Sequence, residues 1–223
     1  MNVKVFILNI VVTLLFLSPA NAQWRIGTTV GVTYNKYSVD SHKESGVHYS
    51  NAWNIPALGV MAQYDVYDWL GVRTELGWMS KSYKVFIPKN KTEYTTDNRY
   101  LQLPVMASLN IGYKKIHAFL NLGIYGAYWL DSDKSGVEKV GTITISKPYD
   151  NDFNETRDQR FDFGFVGGVG IGWKFKVFER NLVLQVESRI YYSTQSSQKN
   201  YMKVNDLRYN TTWALQAGLC YLL

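Results

Sequence analysis

The sequence predicts an all-β chain: an eight-stranded antiparallel up-and-down transmembrane β-barrel, with four long outer loops and three short periplasmic turns. Three observations predict it. Segments of roughly ten residues alternate apolar and polar from Trp24 to Leu223. Long polar stretches and minimal turns separate them in strict rotation, the asymmetry of an outer-membrane barrel. Aromatic residues make up 15% of the chain, with 17 Tyr and 7 Trp, and they gather at strand ends, where two interfacial girdles need them.

Residues 1–22 read as a cleavable signal peptide and residues 23–223 as the barrel domain. Lys4 is the only charge in the leader. Val5 to Leu17 is apolar except for Asn9 and Thr13, and Ala20-Asn21-Ala22 supplies the small-residue cleavage pattern. This apolar run falls short of the roughly 20 residues that a spanning helix needs. Gln23, not Cys, follows the cut, so no lipid anchor is indicated. No later segment reads as a spanning helix, which suits a chain that hides its apolar surface in alternation until it reaches an outer membrane. Both termini are then expected in the periplasm.

The first strand runs from about Trp24 to Asn35, with Trp24, Ile26, Val30 and Val32 toward lipid and Arg25 and Thr29 toward the lumen. Lys36 to Asn54 reads as a long loop. The second strand, about Pro56 to Val66, turns Leu58, Val60 and Tyr64 outward. A tight turn at Tyr67-Asp68 leads to the third, where Val72, Leu76 and Trp78 face out and Arg73 and Glu75 face in. Lys81 to Asn98 is the next long loop. The fourth strand, Tyr100 to Ile111, carries Leu101, Leu103 and Val105 outward. Its Pro104 lacks a ladder donor and predicts a bulge or an edge-like irregularity. The fifth starts at Ile116 and points His117, Phe119, Asn121, Tyr125 and Trp129 inward. Asp131 to Gln159 is the longest loop, within which residues 141–146 alternate like a strand continued above the membrane. The sixth strand sets Phe161, Phe163, Phe165, Ile171 and Trp173 outward and Asp162, Lys174 and four glycines inward. A turn near Lys176–Asn181 precedes the seventh, with Gln185, Glu187, Arg189 and Tyr191 inward. A polar loop, about Thr194 to Leu207, leads to a last strand ending at Leu223.

A soluble eight-stranded ligand barrel is the rival architecture, and it inverts the pattern, with apolar residues inside. The aromatic belts, minimal turns and apolar terminal strand favour lipid. An eight-stranded lumen is just wide enough for side chains to fill. Arg73, Glu75, Asp162, Lys174, Gln185, Glu187 and Arg189 are therefore expected to form a structural network there, because charges in a narrow lumen need partners. The inward glycines of the sixth strand are expected to make room for Tyr125, Gln185 and Tyr191. Cys220, the only cysteine, precludes an internal disulfide and should fill space inside the barrel. Mean hydropathy of −0.20 excludes a helical membrane bundle. The net charge of +6 falls to +5 without Lys4, and its basic residues are scattered over loops and turns. That distribution argues against nucleic acid; lipid A phosphates are a more natural counterpart, and plain solvation is commoner still.

The stretches Tyr100-Leu-Gln-Leu-Pro-Val105, Phe161-Asp-Phe-Gly-Phe-Val-Gly-Gly-Val-Gly170 and Val72-Arg-Thr-Glu-Leu76 resemble the PorT-like outer-membrane β-barrel family of Gram-negative bacteria. The resemblance spans nearly all of the mature chain. It implies a small barrel in the outer membrane and, faintly, a link to type IX secretion; it implies no catalytic residues.

Other motifs carry less chemistry. The Gly164–Gly172 run lacks G-x-G-x-x-G and no helix follows, so it is not a phosphate cradle. His48-Tyr49-Ser50 has the spacing of a lipid A deacylase pair but lacks an evident carboxylate. Asp150 to Glu155 mimics the start of a calcium loop without its glycine. His42, His48 and His117 do not cluster. The sequence therefore predicts a non-enzymatic structural or interaction protein working through its outer loops. It is expected to have no cofactor or metal. Outer-membrane lipid, lipopolysaccharide and other envelope proteins are its expected partners. A secretion or small-solute transport accessory is the alternative, and a lipid-modifying enzyme a third reading.

Overall fold

The computed structural model describes residues 23–40, 47–90, 92–113, 115–140, 143–145, 149–150, 156–199 and 207–223. The leader and His42 lie outside them. Among the described residues there are eleven strands: β1 (Gln23–Asp40), β2 (His48–Tyr67), β3 (Leu70–Ser80), β4 (Tyr83–Ile87), β5 (Thr92–Tyr113), β6 (Ile116–Val140), β7 (Ile143–Ile145), β8 (Tyr149–Asp150), β9 (Phe161–Val177), β10 (Arg180–Ser193) and β11 (Leu207–Leu222). Eight of them close a ring in the order β1-β2-β3-β5-β6-β9-β10-β11, each antiparallel to its neighbours. Closure comes from β11 pairing with β1, from Arg25↔Leu222 to Asp40↔Leu207. A closed ring leaves no unpaired strand edge in the hydrocarbon.

The period-two pattern decides which way each side chain points. Val60 and Ile171 are 58% and 62% exposed on the outer wall, whereas Glu75 and Arg189 are 1% and 0% exposed inside. The soluble alternative requires the reverse. Rings cluster at both ends of the wall. Trp24 packs on Tyr64 at 4.9 Å and Trp173 on Phe175 at 5.4 Å at the short-turn end. Tyr34, Trp53 and Trp213 meet at 4.9 and 5.7 Å at the other. Trp24 and Tyr34 lie ten residues apart on β1, about 25 Å along the axis for a strand tilted by roughly 40°. That matches the apolar band of a barrel.

Three two-residue turns join β2–β3, β5–β6 and β9–β10, with Tyr67↔Leu70, Tyr113↔Ile116 and Val177↔Arg180 pairing across them. In the last, Phe178 and Glu179 both have positive φ, 46° and 62°. That is the type I′ geometry which fits the strand twist and which Asn-Gly normally supplies.

The expected long loops are corrected. β1 runs to Asp40 and β2 begins at His48, so much of Lys36–Asn54 is strand. Most of Lys81–Asn98 is β4 and the first turns of the β5 ladder, joined by a short 3-10 segment at Pro88–Asn90. Asp131–Val140 continues β6, and β7 and β8 pair with it. The β6 strand has 25 residues, where about ten suffice to span a membrane. Here the polar sequence hid strands that pair beyond the bilayer, where neither face needs to be apolar. β4 inserts between β2 and β5 above the end of β3, pairing His48↔Phe86 on one side and Phe86↔Glu93 on the other. Pro104 interrupts the β3–β5 ladder between Thr74↔Val105 and Gly77↔Gln102 without shifting it. The Thr74 hydroxyl donates to the Pro104 carbonyl at 3.1 Å. The register shift falls instead at Arg99/Tyr100, on the β6 side.

Candidate functional site in the barrel lumen

The lumen is filled in layers, each set by the alternation of the ring strands. At the short-turn end the Arg25 guanidinium donates to Asp65 at 2.5 Å, and the Gln63 amide donates to the same carboxylate at 2.7 Å. Arg25 Nη1 lies 3.3 Å from His117 Nε2. Lys174 lines the cavity beside them, which has a volume of about 260 Å³. Deeper in, Met61, Val183, Cys220 and Leu222 form a buried apolar cluster. Cys220 Sγ is 3.3 Å from Met61 Sδ, and Gln185 Nε2 is 3.2 Å from the same sulfur.

The central layer is a quartet of two arginines and two glutamates. Arg189 reaches Glu187 at 2.7 Å and Glu75 at 3.3 Å. Arg73 reaches Glu187 at 3.4 Å and Glu75 at 3.7 Å. Asn121 donates to Glu187 at 2.9 Å and Thr29 to Glu75 at 3.0 Å. All four charged side chains are at most 2% exposed. Desolvating four ions is costly, and the layer is tolerated because the charges cancel and each carboxylate gains a further donor, Thr29 or Asn121. The Tyr191 hydroxyl bridges upward, accepting from Arg189 at 2.7 Å and from Gln102 at 3.0 Å.

A second charged layer follows. The Lys81 ammonium, 0% exposed, meets Asp162 at 2.5 Å and sits 4.6 and 5.1 Å from the ring centres of Tyr100 and Tyr125. Ser193 donates to the other oxygen of Asp162 at 2.5 Å, and Tyr125 donates from 3.3 Å. Beyond it, Tyr37 stacks on Tyr83 at 4.0 Å with Tyr49 alongside, at the level where β4 has entered the wall. Burial, and then the Tyr37 hydroxyl, raises the Tyr83 phenol well above its ordinary range.

Four of the seven residues expected to form one network, Arg73, Glu75, Glu187 and Arg189, therefore meet. Asp162 belongs to the separate Lys81 layer, Gln185 donates to the Met61 sulfur, and Lys174 stands half-buried at the mouth. Lys81 was hidden in an expected loop. Its place directly after an inward-facing run was the signal, because β3 ends at Ser80 and its side chain folds back into the lumen. The glycines of β9 also serve different neighbours than expected. A Cβ on Gly164 would lie 2.9 Å from Tyr125 as anticipated, but on Gly168 it would lie 2.3 Å from Glu187, and on Gly170 and Gly172 it would meet Phe119 and His117. The room near Gln185 comes from Gly218 of β11.

The remaining motifs do not assemble. His48 stacks on Phe86, ring centres 6.5 Å apart, and no described carboxylate is bonded to it. Residues 151–155 of the calcium-like segment lie outside the described residues. Among the described residues, no three His, Cys, Asp or Glu side chains are grouped to hold a metal.

No curated protein matches the sequence. Solved structures of small membrane barrels align with the chain along most of its length. Ail, the attachment invasion locus protein of Yersinia pestis, is 12% identical, with 89% of this chain and 98% of that chain covered at a TM-score of 0.42. Neisserial surface protein A is 13% identical, with 90% and 98% covered and a TM-score of 0.46. The N-terminal β-barrel domain of Pseudomonas aeruginosa OprF is 8% identical, with 86% and 97% covered and a TM-score of 0.36. A family model described as "Outer membrane protein beta-barrel domain" matches residues 19–197. A closed eight-stranded ring with charges inside, apolar rows outside and this family match together place the chain in the outer membrane, and it belongs to the outer membrane protein beta-barrel domain family.

Proposed function

We propose that this chain is a non-conducting, non-enzymatic outer-membrane barrel whose long-loop end faces the cell exterior and acts as a binding surface. The single observation that carries the reading is the sealed lumen. The Arg73/Glu75/Glu187/Arg189 quartet and the Lys81–Asp162 layer cross it in succession with side chains at most 9% exposed, which supports a lumen without a path for solute. What the sealed barrel holds up is a wall of strand that continues well beyond the bilayer through β4, β5, β6 and β7. In this reading a signal peptide is removed after Ala22, and the three short turns and both mature termini are periplasmic. Outer-membrane lipid, lipopolysaccharide and envelope proteins are the partners.

Purified protein in a planar bilayer tests the first half: silence is expected, and a steady ion-selective current overturns it in favour of transport. Excising residues 141–155, which removes β7 and β8 and leaves the β5–β6 and β6–β9 ladders intact, tests the second. The barrel should fold and lose its partner; retention of every cellular phenotype refutes the binding surface. The PorT resemblance extends the proposal to a secretion accessory, for which the excision must also block export of secreted cargo.

A further inference from the structure

The outer wall carries a groove that the alternation does not require. Three ladder rows cross β5, β6 and β9 on the lipid-facing side: Leu101–Tyr128–Phe161, Leu103–Gly126–Phe163 and Val105–Ile124–Phe165. The middle row has no side chain on β6. The missing side chain opens a groove of about 510 Å³ between Leu103 and the parallel rings of Phe161 and Phe163. Its outer end is polar. The Arg160 guanidinium sits 4.6 Å over the Tyr128 ring and is held there by bonds of 2.9 Å to the carbonyls of Trp129 and Leu130. Next in the chain comes Asp131, 53% exposed, which accepts from Arg99 at 3.2 Å. Arg99 also engages Asp97 and Asp133. Past the groove's own lining, the rim thus carries a cation over Tyr128, which lines the groove, and, one residue beyond the Leu130 carbonyl which that cation engages, a partly exposed carboxylate.

We propose that this groove binds an ethanolamine phospholipid, with an acyl chain over Gly126, the phosphate at Arg160 and the ammonium at Asp131. Apolar contact supplies affinity along the groove. The paired opposite charges at its end select a zwitterionic headgroup over a purely anionic one. A lipid A molecule, bearing phosphates without an amine, would meet the aspartates unfavourably. The proposal is independent of which way the barrel faces, since it concerns only the wall and its rim.

Native mass spectrometry of the delipidated protein in detergent tests it, with a phosphatidylethanolamine, a phosphatidylglycerol and a bis-phosphorylated lipid A added in turn. The wild type should retain phosphatidylethanolamine best. Gly126→Phe points into lipid, where an added Cβ meets only the Phe163 ring at 3.2 Å, and should cut retention about tenfold by filling the groove. Arg160→Gln should weaken both phospholipids. Asp131→Asn should weaken phosphatidylethanolamine alone. Heat-modifiable gel migration confirms that each variant folds. Equal retention of all three lipids, equal retention by Gly126→Phe, or preference for lipid A overturns the proposal.

Discussion

Truncating one member of the central quartet, Glu187→Ala, should unfold much of the margin that holds the barrel closed. Glu187 accepts from Arg189 at 2.7 and 3.0 Å and from Asn121 at 2.9 Å, and lies 3.4 Å from Arg73. Without it, two arginines no more than 1% exposed share one carboxylate, Glu75, at 3.3 and 3.7 Å. Removing one partner of a buried ion pair costs about 3–5 kcal/mol, because the surviving charge keeps its desolvation penalty. The stranded Asn121 donor belongs to the same loss and is not added to it. In urea unfolding from detergent micelles, followed by tryptophan fluorescence, a slope of roughly 2 kcal/mol per molar turns this into a midpoint drop of about 2 M. The double replacement Arg73→Met with Glu187→Leu removes a cation and an anion together and leaves Arg189 with Glu75. It should recover most of the loss, as neutral substitutes for buried ion pairs do. A midpoint shift under about 0.5 M for Glu187→Ala, which is roughly 1 kcal/mol on the same slope, refutes the quartet as a dry, mutually dependent layer. Strictly additive losses in the double variant refute it equally.

The same logic applies at Lys81, whose replacement by Met leaves Asp162 with only its Ser193 and Tyr125 donors. A loss of about 3–5 kcal/mol is expected, and adding Asp162→Asn should restore part of it. At the β9–β10 turn, Phe178→Asn with Glu179→Gly supplies residues suited to φ of 46° and 62°. Unfolding midpoints should rise by the equivalent of about 1–2 kcal/mol, and no rise would mean that the turn carries no strain. Tyr83 should respond to alkali. Its phenol is raised by burial and by Tyr37, against the downward pull of Thr96 and Arg208. The folded state therefore favours the neutral form. The stability this contributes is complete below about pH 10, where the unfolded phenol begins to ionise, and falls as pH rises toward the folded value. Tyr83→Phe should flatten that alkaline decline, and phenolate absorbance should show one fewer late-titrating tyrosine.

The ring was legible because the membrane enforces a rule on it. Every residue of a spanning strand faces either lipid or lumen, so Leu58, Val60, Leu184 and Val186 announce their direction. Beyond the bilayer that rule lapses. The β5 segment Thr92–Asn98 and the β6 segment Asp131–Val140 pair residue by residue, from Glu93↔Val137 to Arg99↔Asp131, yet both sides are polar. Alternation of polarity cannot reveal strands whose buried side, here Thr92, Thr96, Asn98 and Ser132, is as polar as the exposed one. The lumen was half legible for a related reason. Facing inward follows from parity, which placed Arg73, Glu75, Glu187 and Arg189 correctly. Height along the axis depends on register between strands far apart in sequence, and parity says nothing about it. Asp162 thus finds Lys81, 81 residues away, rather than an arginine of the quartet.

The sealed lumen and the projecting wall constrain each other through one ladder. β5 and β6 stay paired from Tyr113↔Ile116 at the short turn to Glu93↔Val137 far outside it, with a single shift at Arg99/Tyr100. The wall is therefore no tethered loop, since it continues the sheet that the ion layers brace from within. Ordering a loop on binding costs conformational entropy for each residue fixed, about 1–2 kcal/mol for the backbone. A surface ordered beforehand by pairing avoids most of that cost when a partner docks. The quartet then acts at a distance. By fixing the spacing of β3, β10 and the strands between them, it holds the geometry of the strands that rise above. A variant that loosens the quartet without unfolding the ring, such as Glu187→Gln, should raise amide exchange in residues 92–98 and 131–137 as well as in the lumen. If exchange rises only beside Glu187, the wall is mechanically separate, and its order must come from β4 and the Tyr37–Tyr83 stack instead.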